Sequence, residues 1–312
     1  MKKVILSLAA LVASVSFVKA QQDPQLSQFM FDRLSVNPAF AGMNNAICGT
    51  MFYRQQWAGF PDNPPQTALF NVHAPIFDTH GVGVSFFNDQ IGQSNTNMLR
   101  LSYSFHRQLG IGTFGAGLSA GILNQRLGSD WIAPDGDMSI PVDNAINDAD
   151  ITETTYDLGL GVYYQTDKVY VGLSTTHLTQ SQFEDLSVEN VRHYWIMAGY
   201  NYALPQYNLE LKPHILIKSD IAATQLDFNF TALYNKMVWL GVSYRMADAW
   251  APMMGFQHQL TPDQLLRVGL GYDVTTSQLR DHSNGSYEIF VNYCFNLDRP
   301  EPVQQYRNVR FL

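Results

Sequence analysis

The sequence is poor in charged residues, and above all in basic ones. Asp, Glu, Lys and Arg make up 15% of the 312 residues, well below the roughly 25% of soluble domains. Lys and Arg number 19 against 27 Asp and Glu, so the formal net charge is −8. Nucleic-acid binding needs a basic face that neutralises phosphates, so the composition argues against that class of function.

Cysteines and catalytic motifs are also scarce. Only Cys48 and Cys294 are present, which excludes a disulfide-rich scaffold and leaves open whether the two form one bridge. The mean hydropathy of −0.12 argues against a stack of transmembrane helices. The sequence contains no glycine-rich phosphate loop, no CxxC pair and no zinc-spaced histidine pair on a helix. We therefore predict no catalytic residues, no metal ligands and no cofactor.

The first 20 residues have the composition of a secretory signal peptide. Lys2 and Lys3 precede an apolar stretch, 4–18, that is too short to span a bilayer. Small Ala20 stands before the predicted cleavage point. We expect the mature chain to start near Gln21 and to lie outside the cytoplasm.

Aromatic residues, by contrast, are abundant and fall into alternating patterns. One example is the run in which Leu99, Leu101, Tyr103 and Phe105 interleave with Arg100, Ser102, Ser104 and His106. Such alternation predicts a strand with one face toward an apolar medium. We predict fourteen strands, at 46–56, 66–75, 81–88, 96–108, 112–124, 154–166, 168–175, 192–204, 207–218, 225–234, 237–246, 249–259, 264–272 and 286–296.

The lengths of the predicted strands and connections indicate the architecture. Most segments reach about the 9–11 residues that a tilted strand needs to cross a bilayer. Even-numbered connections are short, whereas the odd-numbered ones include three long loops, at 126–153, 176–191 and 273–285. The fold class predicted is therefore all-β: a transmembrane antiparallel β-barrel of about 14 strands in the outer membrane. An even strand number places both barrel ends on the short-turn rim, which we assign to the periplasm together with the N- and C-termini.

Residues 21–45 do not alternate, yet they are too apolar for a disordered tail. A barrel of this size also has a lumen too wide for side chains to fill unaided. We therefore expect a plug-like N-terminal segment that enters or caps the lumen from the periplasmic side. The predicted organisation is a signal peptide at 1–20, this segment at 21–45, the barrel at 46–296 and a periplasmic tail at 297–312.

Two groups of polar residues have a second interpretation, one as a catalytic site and the other as a metal site. Ser102, Ser104 and His106 share one face and are interpreted as luminal residues, with an outer-membrane hydrolase as the alternative. The acidic loop 126–153 contains Asp135-Gly136-Asp137 but lacks the spaced glutamate of a calcium loop. We interpret it as a solvated surface loop.

Three short motifs carry a family resemblance. Asp23-Pro24-Gln25-Leu26-Ser27-Gln28-Phe29, followed by Asn37-Pro38-Ala39-Phe40-Ala41-Gly42, resembles the opening of the PorP/SprF family of Bacteroidetes outer-membrane proteins. Arg54-Gln55-Gln56-Trp57 resembles the next motif of that family, and residues 306–312 resemble its ending. The resemblance covers essentially the whole mature chain.

The resemblance implies a non-enzymatic component of the type IX secretion and gliding machinery. Its expected partners are periplasmic, peptidoglycan-associated secretion proteins, a large secreted adhesin, or both, alongside outer-membrane lipid and no nucleic acid. The residues predicted to form the plug or a partner-binding surface are Asp23, Pro24, Gln25, Gln28, Phe29, Asn37, Pro38, Gly42, Arg54, Gln56 and Trp57. The alternative is a transport channel for a small or hydrophobic solute, lined by Arg100, Glu210, Lys212, Arg245 and Arg267.

Overall fold

The computed structural model describes residues 23–60, 63–129, 149–186 and 188–297. The predicted signal peptide, the tail beyond Leu297 and the centre of the acidic loop lie outside the described residues. The strands of the described chain are β1 Ala46–Gln55, β2 Gln66–Phe77, β3 His80–Ile91, β4 Ser94–Leu109, β5 Gly112–Leu127, β6 Ile151–Gln165, β7 Val169–Thr176, β8 Gln182–Phe183, β9 Val188–Glu189, β10 His193–Tyr200, β11 Tyr202–Leu204, β12 Leu209–Ser219, β13 Thr224–Tyr234, β14 Val238–Arg245, β15 Ala249–Thr261, β16 Gln264–Thr275 and β17 Ser286–Asn296.

Short 3₁₀ turns occupy Phe29–Phe31, Pro38–Phe40, Pro205–Tyr207 and Gln278–His282. Among the described residues, no helix is both long and apolar enough to cross a bilayer.

The strands close into an antiparallel barrel. Strands pair in chain order, except that β7 pairs with β10, and β1 pairs with β17 from Ala46↔Asn296 to Gln55↔Tyr287. Strands β10 and β11 both pair with β12, so they count as one barrel strand interrupted at Asn201. Strands β8 and β9 form a separate small hairpin. The prediction of a 14-strand outer-membrane-type barrel is thus confirmed.

The connections define two ends of the barrel. The turn end carries the short links from β2 to β3, β4 to β5, β6 to β7, β11 to β12, β13 to β14 and β15 to β16. The loop end carries the longer connections at 56–65, 128–150, 177–192 and 276–285. Both Ala46, which begins β1, and Asn296, which ends β17, lie at the turn end.

The two faces of each strand meet different surroundings. Along β4, Leu99 and Leu101 are exposed on the outer face, whereas Arg100 and Ser102 are buried toward the lumen. This distribution is the one that a barrel in lipid requires, because the outer surface contacts hydrocarbon while the polar groups find partners inside.

The height of the wall varies around the barrel. Strands β4 and β5 have 16 residues each, whereas β7 has 8. The β8–β9 hairpin follows the short β7, and its Phe183 packs against Met98 and Leu123 of the tall strands. The residues just after β7 are therefore enclosed by the taller wall beside them.

A disulfide joins the first strand to the last. Cys48 and Cys294 face each other in the β1–β17 ladder and are bonded, 246 residues apart in sequence. The question that the sequence left open is answered, since the two cysteines pair and link the strands at which the barrel closes.

Candidate functional site

Residues 23–45, called the plug below, run through the lumen. At the loop end of β12, Lys218 Nζ donates to the Asp23 carbonyl at 2.9 Å. Midway along the wall, Asn37 Nδ2 donates to the Val162 carbonyl at 3.0 Å. At the turn end of β6, Gln165 Nε2 donates to the Met43 carbonyl at 3.2 Å. The predicted plug-like segment is therefore present, and it spans the barrel from one end to the other.

The plug runs from the loop end, where Asp23 lies, to the turn end, which the chain reaches near Met43 just before β1 begins. The position of Asp23 follows from its polar partners, because cationic Lys218 and His177 stand at the loop ends of β12 and β7. That this segment enters from the periplasmic side stays a prediction.

The local sequence explains the irregular path of the plug. Asn37 caps the turn Pro38–Phe40, and its side chain accepts a hydrogen bond from Ala39 N at 3.0 Å. Pro38 takes the first position of this turn, where a missing N–H costs little. Gly42 follows with φ of +70°, a conformation that favours glycine, and its N–H donates to His73 Nδ1 at 3.2 Å.

Glycines in the wall make room for this part of the plug. A Cβ on Gly117 would collide with Ala39 N, and one on Gly81 would collide with the Ala41 carbonyl. Luminal glycines of the alternating strands thus have a definite role, since they let the plug backbone approach the barrel backbone.

Arg33 and an apolar cluster around it hold the centre of the plug against the wall. Arg33 lies among aromatic rings, with its guanidinium 3.9 Å from the centre of the Tyr170 ring and Nη1 donating to the Tyr163 hydroxyl at 2.9 Å. The buried plug members of the cluster are Leu26, Phe29, Met30, Leu34, Ala39, Phe40, Ala41 and Met43, and its wall members include Phe52, Leu69, Tyr163, Tyr170, Trp195, Leu216, Trp239 and Phe290.

A buried charged network anchors the plug near the loop end. It consists of Ser27, Arg54, Arg245, Asp273 and Glu288, and is called the Ser27 network below. Arg54 contacts Asp273 at 2.6 Å and Glu288 at 3.0 Å, and Arg245 contacts Asp273 at 3.3 Å. The Ser27 hydroxyl donates to Asp273 at 2.7 Å and lies 3.0 Å from Arg54 Nη1.

The same network binds the backbone of the plug. The two oxygens of Glu288 accept hydrogen bonds from Ser27 N and Gln28 N, each at 2.8 Å, and Ser243 Oγ donates to the Ser27 carbonyl at 2.8 Å. Removing one partner from a buried ionic group leaves the other charge unpaired in a poorly hydrated site, which is strongly destabilising. The arrangement therefore favours a plug that stays in one position.

A second polar cluster surrounds the first described residue. Asp23 Oδ1 lies 2.7 Å from His177 Nε2, and the opposite ring nitrogen of His177 lies 3.1 Å from Asp157 Oδ1. Arg100 contacts Asp157 at 3.0 Å and donates to the Ser35 carbonyl at 2.8 Å. The cluster thus links both ends of residues 23–35 to β4, β6 and the residue after β7.

Charge pairing sets the protonation of this cluster. Burial alone would lower the pKa of His177, but Asp23 and Asp157 outweigh it and raise that pKa to about 9. Burial likewise opposes ionisation of Asp23, yet the charge and hydrogen bond of His177 hold its pKa well below the usual range. The two carboxylates on either side of His177 therefore favour a positive charge at this point.

The structure brings most of the predicted site residues together. Those of the plug lie in the lumen, namely Asp23, Pro24, Gln25, Gln28, Phe29, Asn37, Pro38 and Gly42. Arg54 reaches them from β1 as part of the Ser27 network. Gln56 and Trp57 do not join the plug, since they lie in the loop after β1, where Gln56 N donates to the Pro65 carbonyl and Trp57 N to Ser286 Oγ.

Several important residues were not singled out from the sequence. Asp273 and Glu288 anchor the plug, while Asp157, His177 and His193 surround its start. The sequence indicates Arg245 only as a channel-lining residue. Apart from His177, which follows β7, their common signal is a polar side chain in an inward-facing row, which identifies a luminal residue but not its partner.

The serine–histidine pair considered for a hydrolase is a plug contact. Ser104 Oγ lies 2.9 Å from His106 Nε2 and donates to the Ala41 carbonyl at 2.6 Å. Both residues are buried. The residues Asp135 and Asp137, which were weighed as a calcium loop, lie outside the described residues.

The plug divides the free space of the lumen. A cavity of about 500 Å³ lies at the loop end, between Asp23 and residues such as Asp89 and Leu127. Another of about 410 Å³ lies at the turn end, beside Cys48 and Asn296. The cavity lined by Leu26, Phe29 and Leu216 has a volume of only about 60 Å³.

Comparison with known proteins identifies a family and a shared fold. The model of the family described as type IX secretion system membrane protein PorP/SprF matches residues 18–293. No curated protein sequence matches the chain.

Three solved structures illustrate the fold. The Ralstonia pickettii toluene transporter TbuX has 11% sequence identity and a TM-score of 0.52, over 87% of this chain and 94% of that one. The Pseudomonas putida toluene transporter TodX has 10% identity and a TM-score of 0.51, over 85% and 93%. The Acinetobacter baumannii outer membrane protein Omp33 has 9% identity and a TM-score of 0.46, over 81% and 97%. At these identities the likeness to TbuX and TodX is one of fold alone.

Proposed function

This chain belongs to the PorP/SprF family of type IX secretion system membrane proteins, and from that premise and its filled lumen we propose that it acts by binding other proteins. In this proposal the barrel is a non-enzymatic outer-membrane component of the secretion and gliding machinery. It holds partners at its two ends instead of conducting a solute.

The occupied lumen is the observation that carries the proposal. The plug crosses the barrel from end to end, and buried ion pairs hold it near the loop end. Near the turn end, hydrogen bonds from Ser104 and Gln165 hold it, and wall glycines let its backbone approach closely. A segment with anchors of both kinds, in a space that side chains alone would leave open, is suited to closing the barrel.

Each end of the barrel suits a different partner. We assign the turn end to the periplasm, as in barrels with short periplasmic turns and longer external loops. The described chain ends at this end of the barrel, with Asn296 and Leu297, and residues 298–312 follow in the sequence. The turn end and this tail would then contact peptidoglycan-associated secretion proteins, and the loop end would contact a large secreted adhesin.

Solute transport is the second candidate. Free cavities lie on both sides of the plug, so a displaced plug would connect them. The apolar cavity between plug and wall measures about 60 Å³, whereas a cavity that binds benzene has about 150 Å³. A transport role therefore requires the plug to move, and the Ser27 network opposes that movement.

Affinity capture from native membranes tests the binding proposal. The full-length protein, tagged in a loop-end connection, is purified in mild detergent and its companions are identified by mass spectrometry. We expect periplasmic secretion components, a very large surface protein, or both. Removal of 298–312 is expected to abolish only the periplasmic companions, because the loop end is unchanged.

A matched deletion at the other end serves as the control. Removing 278–283, from the exposed loop before β17, is expected to reduce only the surface protein. If the intact protein captures no secretion component and no surface protein from membranes that contain both, the binding proposal is wrong.

A further inference from the structure

Three potential metal ligands converge at the start of the plug. Asp23, His177 and His193 each offer one ligand atom, and these atoms all lie within 4.8 Å of one another. The two histidines come together because the β7–β10 ladder pairs Thr176 with His193, so that His177 is the next residue beyond that pair. The sequence spacing of 177 and 193 carries no metal-binding pattern, because the intervening residues form the β8–β9 hairpin.

One histidine of this cluster has an unsatisfied ring nitrogen. His193 is only 2% exposed, and its Nδ1 has no hydrogen-bond partner among the described residues. A buried polar atom without a partner is costly, and such atoms call for an explanation such as a bound ion. The rings of His177 and His193 lie 5.8 Å apart at 71°, so they do not stack face to face.

The group behind His177 has the form seen at metal centres. Asp157 Oδ1 lies 3.1 Å from His177 Nδ1, at ion-pair distance but without the angle of a hydrogen bond, while His177 Nε2 points to Asp23. A carboxylate on the far nitrogen of a ligating histidine orients the ring and increases its basicity. Arg100, which contacts Asp157 at 3.0 Å, fixes that carboxylate in turn.

We propose that Asp23, His177 and His193 bind a divalent transition-metal ion, Zn²⁺ in the first place, that ties the start of the plug to the barrel wall. Two imidazoles and one carboxylate form a ligand set that zinc uses, whereas Ca²⁺ and Mg²⁺ prefer oxygen ligands alone. Ligand atoms around a tetrahedral zinc ion lie about 3.3 Å from one another. The three ligand atoms here lie within 4.8 Å of one another, so metal binding requires their side chains to move closer by about 1 Å.

The fourth coordination position would face the loop-end cavity. All three ligands line this cavity of about 500 Å³, which gives the ion a route from the loop end and room for a water molecule.

One neighbouring charge opposes the ion. Lys218 Nζ donates to the Asp23 carbonyl at 2.9 Å, and Lys218 is buried. Its positive charge repels a second cation, whereas the carboxylates of Asp23 and Asp157 attract one. Removing this charge should therefore strengthen metal binding, a change that misfolding would not produce.

Cobalt titration tests the site directly. The mature protein, purified in detergent without a polyhistidine tag, is titrated with Co²⁺ and its visible absorption is recorded. We expect one Co²⁺ per chain with the intense bands of a four- or five-coordinate site, and displacement by Zn²⁺. H193Q should weaken binding at least about tenfold, and D157N by about 10–100-fold. K218M should strengthen it.

H106Q is the matched control, because His106 is another buried histidine that contacts Ser104 and lies outside the cluster. It should bind Co²⁺ as the unchanged protein does. The proposal is overturned if the unchanged protein binds no Co²⁺ or Zn²⁺ at submillimolar concentration, or if H193Q, folded by circular dichroism, binds equally well. It is also overturned if K218M leaves the affinity unchanged.

Discussion

Replacing Arg54 with alanine is expected to lower the free energy of unfolding by about 3–5 kcal/mol, the range for breaking a buried ion pair. The side chain of Arg54 is 1% exposed and contacts both Asp273 and Glu288. Without it, the negative charges of Asp273 and Glu288, which both bind Ser27, lose a buried positive partner. Equilibrium unfolding in urea, followed by tryptophan fluorescence in detergent micelles, measures this change.

An exposed arginine provides the comparison. Arg280 contacts Asp281, but its side chain is 72% exposed, so R280A should cost less than about 1 kcal/mol. The effect of R54A should also be nearly independent of salt, because buried pairs are weakly screened. Equal losses for R54A and R280A would contradict the anchoring role given to the Ser27 network.

Loss of the disulfide is the second large effect that we expect. A variant with both C48A and C294A should lose about 2–4 kcal/mol of unfolding free energy, because the bond closes a loop of 246 residues in the unfolded chain. The β1–β17 ladder, from Ala46↔Asn296 to Gln55↔Tyr287, remains in this variant, so the barrel should still close. The same urea titration, under oxidising conditions, measures the loss.

Reduction supplies the control for the cysteine variant. The unchanged protein unfolded in the presence of a thiol reductant should match the variant, since both then lack the bond. The variant itself should not respond to the reductant. If oxidised protein and variant unfold at the same urea concentration, the bond does not stabilise the barrel in the way described.

The barrel was predictable because its signals are local. Alternation such as Leu99, Leu101 and Tyr103 against Arg100 and Ser102 identifies a strand and its two faces within a few residues. Connection lengths then distinguish the two ends. The interruption at Asn201 and the β8–β9 hairpin were not predicted, because each depends on contacts with other strands that no local pattern reports.

The site was predictable only in part, because its contacts are long-range. Ser27 and Glu288 are 261 positions apart, and a single sequence shows each of them as no more than a polar residue. Arg54 entered the predicted site through the family resemblance, whereas Asp273 had no such signal. The contact of Asp23 with His177, 154 positions away, is likewise invisible to any local pattern.

Ion conductance in planar bilayers tests the central claim most directly, namely that residues 23–45 close the barrel. The intact protein should show no steady pore, because the plug crosses the lumen and is anchored by the Ser27 network. A variant lacking 23–42, verified as folded and inserted, should show a large, continuous conductance. A steady pore in the intact protein that equals the pore of the deletion variant would contradict the account.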